Sequence, residues 1–188
     1  MKNDYTLRQA TCEEAYEIWS IMDICYQALE PKDLFICDDL DYVKDILSGQ
    51  GFGVVACDES GKIVGNLLVK YPGLDAENLG YDVFVNPEPN TKNCSLCTIT
   101  LTPQNLNRVL HMDSATVLPK HRGHGLERSM IAFAETLVDT SKYRYAFATV
   151  APENTASLKS LLRNGYQVMT TKEKYGGVTR SILMKILE

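Results

Sequence analysis

The sequence lacks long apolar runs and an excess of positive charge. No stretch approaches the ~20 consecutive apolar residues that a membrane-spanning helix needs, and no apolar segment follows the N-terminal residues 1–5 as it would in a secretory leader. With 19 basic against 24 acidic residues the net charge is −5, whereas proteins that bind nucleic acid are usually basic. We therefore expect a cytoplasmic protein that binds neither nucleic acid nor a membrane.

Internal repeats, low-complexity tracts and a disulfide framework are also missing. Most of the six cysteines fall within apolar segments, where a free cysteine behaves as a small buried hydrophobe, so a reducing compartment is expected. Cys94 and Cys97 form an isolated Cys-x-x-Cys pair. Because no further ligands stand at zinc-binding spacing, we expect no metal site and attribute the pair to chance or packing.

The 188 residues instead alternate between strand and helix patterns. A capping box at Thr11 and Glu14 precedes an apolar stripe from Ala15 to Leu29, which predicts a first helix that ends before Pro31. Further helical segments are a helix capped by Asp38 or Asp39 and closed by Gly49, a turn at 103–107, a helix from 126 to near 141, and a helix led by Asn154. Strands are predicted at residues 5–10, 53–57, 62–70, 81–85, 97–101, 109–117, 143–150, 166–172 and 178–187.

These elements predict an α/β protein with a mixed, mostly antiparallel central sheet of about seven strands flanked by helices. The length suits one domain with a hydrophobic core, spanning residues 1–188. The patterns weaken over residues 71–108, which we interpret as an elaboration on that core. The segment is long for a connection, and a lid or a contact in a homodimer are two interpretations of it.

Two glycines lie at the junction between the strand that ends at Val117 and the helix that starts at Leu126. Gly123 and Gly125 permit positive φ and close approach of a ligand to the backbone. A helix start adds N–H groups and a partial positive charge, so the junction predicts a site for phosphate or pyrophosphate. The third glycine of a dinucleotide fingerprint and the Gly-Lys-Ser/Thr of a P-loop are missing. A tight turn without a ligand is the alternative.

A second signal is Asn154, which opens the helix after the next strand. The hexapeptide Arg122-Gly123-His124-Gly125-Leu126-Glu127 resembles the acetyl-CoA motif Arg/Gln-x-x-Gly-x-Gly/Ala of the GCN5-related N-acetyltransferase (GNAT) family. The hexapeptide and Asn154 together make the chain resemble that family. The specific matches span residues 109–166, and the order of elements agrees over nearly the whole chain. Glu127 departs from the motif, which has a small residue there. The resemblance implies a GNAT-like domain that transfers an acetyl group from acetyl-CoA to an amine.

The resemblance also implies how acetyl-CoA, the expected cofactor, is held. Loop N–H groups would take the pyrophosphate, the strand edge before the loop would pair with the pantetheine amides, and Asn154 would bond the pantetheine arm, with helix capping as its alternative role. We expect Glu127 to point to solvent, because it would otherwise repel phosphate, and His121 and the His124 side chain to face solvent. The expected cofactor-binding residues are Ala115, Thr116, Val117, Arg122, Gly123, His124, Gly125, Leu126, Glu127, Arg128, Asn154 and Ser157.

His111 and Asp113 are the candidate catalytic residues, since they lie on one face of a regular strand. Histidine has a suitable pKa range for a base, and the resemblance implies a carboxylate base near this position in some family members. The alternative for His111 is a structural role. The alternatives for Asp113 are to orient His111 or to bind a cationic substrate. Leu161 stands where the family often has a tyrosine acid. An acyl-CoA-binding sensor or partner protein with weak catalysis is therefore the alternative function.

The acceptor cleft of the family usually lies on or after the first helix, where this chain has Trp19, Tyr26 and Phe35. Core packing is the other role for these aromatics, and it is the one we favour for Trp19. Four carboxylates are candidates to hold an ammonium group, with helix capping the alternative for the first two: Asp38, Asp39, Asp82 and Asp113. The acceptor is a small-molecule amine or a protein amine, and the sequence does not choose between them.

Overall fold

A computed structural model describes residues 4–85 and 103–188. These residues form the strands β1 (Thr6–Gln9), β2 (Gly51–Cys57), β3 (Ile63–Lys70), β4 (Val109–Val117), β5 (Tyr145–Val150), β6 (Gln167–Lys174) and β7 (Val178–Ile186). The helices are α1 (Ala15–Gln27), α2 (Leu40–Asp45), α3 (Leu74–Gly80), α4 (Pro103–Leu106), α5 (Leu126–Thr136) and α6 (Thr155–Arg163). Within residues 4–85 and 103–188, no helix has both the length and the apolar character to cross a membrane.

The seven strands form one sheet in the order β1-β2-β3-β4-β5-β7-β6. β1 pairs antiparallel with β2, and β7 pairs antiparallel with both β5 and β6. β4 and β5 are parallel, with Val109 opposite Tyr145 and Met112 opposite Ala148. The connection between these two strands contains α5, as a parallel pair requires a crossover. The predicted mixed, mostly antiparallel sheet of about seven strands flanked by helices is confirmed.

The chain divides into two compact units, and β4 contributes to both. One unit comprises the residues up to Val69 together with Asp113–Leu137. The other comprises Lys70–Met112 and Val138–Glu188. The glycine loop therefore belongs to the first unit, and Asn154 belongs to the second.

In the first unit, α1 forms where the apolar stripe predicted it. The Thr11 N–H donates to a Glu14 carboxylate oxygen at 2.8 Å, which confirms one half of the capping box. Ile18 and Met22 are fully buried in the core, and Trp19 packs against that core, which confirms its predicted packing role. The helix ends at Gln27, and the Lys32 ammonium donates to the Tyr26 and Gln27 carbonyls at 2.8 and 2.9 Å.

The cap of α2 is Asp39 and not Asp38. The Asp39 carboxylate accepts from the Tyr42 N–H at 2.8 Å, a bond that satisfies one of the unpaired donors at a helix start. After α2 a short helical turn, Ile46–Gln50, leads into β2, and Gly49 has the positive φ of 136° that its predicted closing role requires. Asp38 instead contacts the hydroxyl of Ser114 in β4.

In the second unit, the predicted strand at 81–85 is wrong, because Tyr81–Val85 forms a helical turn directly after α3. Ala76, Leu79 and Val83 are buried together at helical spacing, and this shared burial overrides the strand propensity of the segment. Asp82 pairs with the ammonium groups of Lys174 at 2.7 Å and Lys172 at 3.6 Å. This carboxylate is therefore neutralised within its own unit.

α5 stops at Thr136, earlier than the predicted end near residue 141. The Asp139 carboxylate accepts from the N–H and the hydroxyl of Ser141. Such a local side-chain turn competes with helical hydrogen bonding, so it ends the helix before the chain reaches β5. The predicted strand at 97–101 and the Cys94–Cys97 pair lie outside the described residues.

Candidate functional site

The glycine loop runs from the end of β4, through a short turn at Pro119–His121, to the start of α5. Gly123 and Gly125 have φ values of 82° and 74°, in the left-handed region. For a Cβ added to either glycine, no heavy atom of the described residues lies within 4 Å. The backbone conformation, and not a close neighbour, therefore requires glycine at both positions, and the space over the loop is open.

The start of α5 is fixed by burial, while the loop before it is exposed. Leu126 is 5% exposed and Met130 is fully buried, so both anchor the helix in the core. The first bond of the helix runs from the Ser129 N–H to the Gly125 carbonyl at 3.0 Å. N–H groups of a first helical turn point out of the helix end, where the macrodipole places a partial positive charge. The geometry is compatible with a bound anion, and the anion site itself stays a prediction.

The charged and polar side chains of the loop and the first turn of α5 differ in their exposure to solvent and in their contacts. Arg122 is exposed, and its Nε donates to the Val117 carbonyl at 3.0 Å, so it ties the loop to the end of β4. Arg128 is exposed and Glu127 is half-buried in the first helical turn. The orientation of Glu127 away from a bound anion stays a prediction. His124 is exposed, as predicted.

The end of β4 is held against β3 by a buried polar pair. Thr116, 6% exposed, donates through its hydroxyl to the side-chain oxygen of Asn66, which is fully buried. The Asn66 amide donates to the Ser114 carbonyl at 3.5 Å. A Cβ at Gly65 would lie 2.8 Å from the Thr116 carbonyl. Sequence reasoning missed this pair, and its signal is a Gly-Asn step inside an otherwise apolar strand.

An Asn66→Ala variant is expected to lower the free energy of unfolding by about 1–3 kcal/mol, because it leaves the buried Thr116 hydroxyl unsatisfied. Urea denaturation measures this change. A double-mutant cycle that combines Asn66→Ala with Thr116→Val should give a coupling free energy between the two side chains of at least about 0.5 kcal/mol. Strictly additive losses would show that the two side chains do not interact.

Two carboxylates of the first unit share one hydroxyl. The Asp113 carboxylate accepts from the Tyr42 hydroxyl at 2.8 Å, so α2 holds this side chain of β4. The Ser114 hydroxyl lies 3.3 Å from an oxygen of Asp113 and 3.3 Å from an oxygen of Asp38. A serine hydroxyl has a single proton to donate, so Ser114 can donate to only one of the two carboxylates at a time. A pair of carboxylates placed in this way can accept a proton or hold a cation. Tyr42 and Ser114 were not predicted, and Tyr42 is 71 positions from Asp113.

His111 belongs to the second unit and is 1% exposed. It lies opposite Phe147 in the parallel pairing of β4 with β5. Burial of this degree favours the structural role that was the alternative for His111. Asp113, which is half-buried and hydrogen-bonded to two hydroxyls, is the better placed of the two candidate catalytic residues.

Asn154 caps α6 in the second unit. Its side-chain oxygen accepts from the Ser157 N–H at 3.3 Å, which confirms the capping role. Contacts of Asn154 and Ser157 with a pantetheine arm stay predictions. Leu161, on the same helix, is 4% exposed. It packs as a core residue at the position where the resembled family often has a tyrosine acid.

The cysteines of the described residues are reduced thiols. Cys25 and Cys57 are buried, Cys37 is half-buried and Cys12 is exposed. Burial raises the pKa of Cys25 and Cys57, and it raises the pKa of Cys37 to about 11. These three thiols stay protonated near neutral pH and are poor nucleophiles. The part of the chain that the structure describes has no group of three or more histidine, cysteine or acidic side chains placed to hold a metal ion.

No protein-family model matches this chain, and no curated protein matches it by sequence. Solved structures do match. A structure of yncA from Salmonella typhimurium with its cofactor acetyl-CoA has a TM-score of 0.67 and 15% identity, covering 98% of this chain and 95% of that one. A GNAT superfamily phosphinothricin acetyltransferase from Sinorhizobium meliloti, in complex with acetyl-CoA, has a TM-score of 0.64 and 15% identity. The comparison covers 100% of this chain and 89% of that one.

A ribosomal-protein-S5-alanine acetyltransferase from Vibrio fischeri has a TM-score of 0.64 and 16% identity, covering 98% of this chain and 93% of that one. Each comparison spans almost the whole of both chains, so the similarity concerns the complete architecture and not a shared fragment. Identities of 15 or 16% are evidence of a common fold. The fold implied by the glycine motif and Asn154 is therefore confirmed, and this chain has the fold of the GNAT acetyltransferases.

Proposed function

We propose that this chain is an acyl-CoA-dependent N-acyltransferase that moves an acetyl group from acetyl-CoA to an amine. The observation that carries the proposal is the glycine loop, where Gly123 and Gly125 take left-handed φ values beneath open space at the start of α5. The loop follows β4 in a fold shared with structures from Salmonella and Sinorhizobium that contain acetyl-CoA. An anion site in this fold is best explained by a cofactor that carries a pyrophosphate.

The cofactor would be held along the loop and the strand before it. The N–H groups from Gly123 into the first turn of α5 would donate to the pyrophosphate oxygens. The half-buried strand edge at Ala115 and Val117 would pair with the amides of the pantetheine arm, as an added strand does. The Asn66–Thr116 pair keeps this part of β4 in place, so the edge is ordered before the cofactor arrives.

The reaction would be a direct attack of a neutral amine on the thioester carbonyl. The new C–N bond forms, the C–S bond breaks, and a backbone N–H near Val117 would stabilise the oxyanion. The Asp113 carboxylate would take the amine proton, with Tyr42 and Ser114 fixing its orientation. The leaving CoA thiolate takes up a proton from water, which suffices because a free thiol has a pKa of ~8.5. Most of the acceleration would come from positioning.

A second candidate function is an acyl-CoA-binding protein that serves as a sensor or partner. Buried Leu161 supports it, because leucine cannot donate a proton. The loss of a general acid typically costs ~10²–10⁴-fold in rate. Tight binding of acetyl-CoA without turnover, unaffected by Asp113→Ala and by His111→Ala, would establish this function instead.

The proposal is tested by measuring thiol release from acetyl-CoA in the presence of a panel of amines. The panel contains small amines, aminoglycosides, free amino acids and peptides that begin with alanine, the last because one similar structure is a ribosomal-protein alanine acetyltransferase. We expect thiol release that depends on one class of amine. Failure to bind acetyl-CoA, together with no amine-dependent thiol release, would overturn the proposal.

A further inference from the structure

Three side chains of the first unit, Tyr5, His121 and His124, form a cluster against the glycine loop, which we call the loop brace. The Tyr5 hydroxyl lies 3.1 Å from Nδ1 of His121. The Tyr5 ring meets the His121 ring edge to face at 5.8 Å between centroids, and it meets the His124 ring in the same manner at 5.5 Å. His121 is half-buried, so it faces solvent only in part.

His124 is turned back onto its own loop. Its Nδ1 lies 3.2 Å from the His121 carbonyl oxygen and 3.0 Å from the Arg122 carbonyl oxygen. Carbonyl oxygens only accept hydrogen bonds, so Nδ1 must carry the proton. This fixes the tautomer of the neutral ring and leaves Nε2 as its acceptor.

The carbonyl groups before the glycines are thus engaged by side chains and by the loop itself. Val117 and Leu118 accept from the Arg122 Nε and from the His121 N–H, at 3.0 and 2.8 Å. His124 takes the carbonyls of His121 and Arg122. When successive carbonyls are held on one side of a left-handed turn, the N–H groups face the other side and form an anion-binding concavity.

The loop brace supports a loop that is itself exposed, in addition to the bond from Arg122 to the Val117 carbonyl that ties the loop to β4. Residues 122–125 are exposed, and for Gly123 and Gly125 no atom from the described part of the chain lies within 4 Å of an added Cβ. Glycine has the largest backbone entropy to lose. A loop ordered only by its ligand would subtract that entropy from the affinity, whereas a loop held beforehand would not.

We propose that Tyr5 is a positioning residue for the glycine loop, acting through His121 and His124 to hold it in the phosphate-binding conformation before the cofactor arrives. The proposal rests on the proposed function, since it names what positions the same site. Tyr5 directly precedes β1, whose first residue, Thr6, pairs with Cys57 of β2. The sheet therefore fixes one end of the brace, and the loop lies at the other.

The first test measures binding of coenzyme A by calorimetry. Tyr5→Phe removes the hydroxyl and keeps the ring, and it should raise Kd about threefold, while Tyr5→Ala should raise Kd about tenfold. Tyr16→Ala is the matched control, because Tyr16 lies in the same unit and is 65% exposed on α1, and its Kd should equal that of the wild type. In turnover assays Tyr5→Ala should raise KM for acetyl-CoA and leave kcat unchanged at saturation.

The second measurement needs no cofactor. Nitrogen-15 spectra of the histidine rings should show neutral His124 protonated on Nδ1 in the wild type, and a mixture of tautomers in Tyr5→Ala. Wild-type His124 protonated on Nε2 would overturn the brace. Equal Kd for the wild type and Tyr5→Phe would overturn it too, even if Tyr5→Ala fails to fold. A wild type that does not bind coenzyme A overturns the proposed function, and the ring spectra then decide the brace alone.

Discussion

A Gly125→Val variant is expected to lose acetyl-CoA binding, with a rise in Kd of about 100-fold or more. Gly125 has a φ of 74° immediately before α5, and a β-branched residue is a genuine outlier at positive φ. The backbone would have to leave the left-handed region, which moves the loop N–H groups away from the pyrophosphate. Calorimetric titration of acetyl-CoA into the variant measures the loss.

The matched control for this variant is Gly61→Val, in the turn between β2 and β3. Gly61 has a φ of 83°, and among the residues that the structure describes none approaches an added Cβ within 4 Å. Both variants should lose about 1–3 kcal/mol of stability to the same strain. Only Gly125→Val should lose the cofactor. An equal loss of binding in the two variants would mean that strain in the fold, and not the loop, governs affinity.

An Asp113→Asn variant is expected to lower kcat by about 10²–10⁴-fold, the usual contribution of a general base. The amide has the size of the carboxylate and still accepts the Tyr42 hydroxyl, which lies 2.8 Å away in the wild type. It cannot take a proton from the amine. The Kd for acetyl-CoA should stay unchanged, because Asp113 precedes the strand edge and loop that hold the cofactor. Steady-state kinetics and calorimetry separate the two effects.

Asp41→Asn provides the control for this substitution. Asp41 is an exposed residue of α2 that pairs with Lys44 at 2.9 Å, so its replacement should leave kcat unchanged. Tyr42→Phe should lower kcat about tenfold, because the carboxylate keeps its charge and loses one orienting bond. If His111→Gln lowers kcat and Asp113→Asn does not, His111 is the base and the assignment of Asp113 is wrong.

Local patterns predicted most of the fold. The stripe from Ala15 to Leu29 placed α1 because apolar residues at helical spacing bury one face of a helix. The turn-forming residues 58–61, between the strands predicted at 53–57 and 62–70, favour a hairpin for a similarly local reason, and β2 and β3 are neighbours in the sheet. The strand prediction at 81–85 is wrong because its aromatic and β-branched residues favour a strand, whereas the burial of Val83 beside Leu79 favours a helical turn.

The candidate site could be predicted only where its residues are neighbours in sequence. The loop from Arg122 to Gly125 is such a case, because the glycines themselves set the backbone. The bond from Tyr42 to Asp113 joins residues 71 positions apart, and the contact of Tyr5 with His121 spans 116 positions. Tertiary packing creates these pairs, and no spacing rule along the chain anticipates them.

The most direct test of the account follows the backbone amides of the ¹⁵N-labelled protein while acetyl-CoA is added. We expect saturable shifts that are largest at Gly123, Gly125 and the first turn of α5, with no competition from ATP or NAD. Those glycine amides would report the pyrophosphate on the loop. Unperturbed glycine amides at saturating acetyl-CoA, or equal displacement by ATP, would contradict the claim that this loop binds coenzyme A.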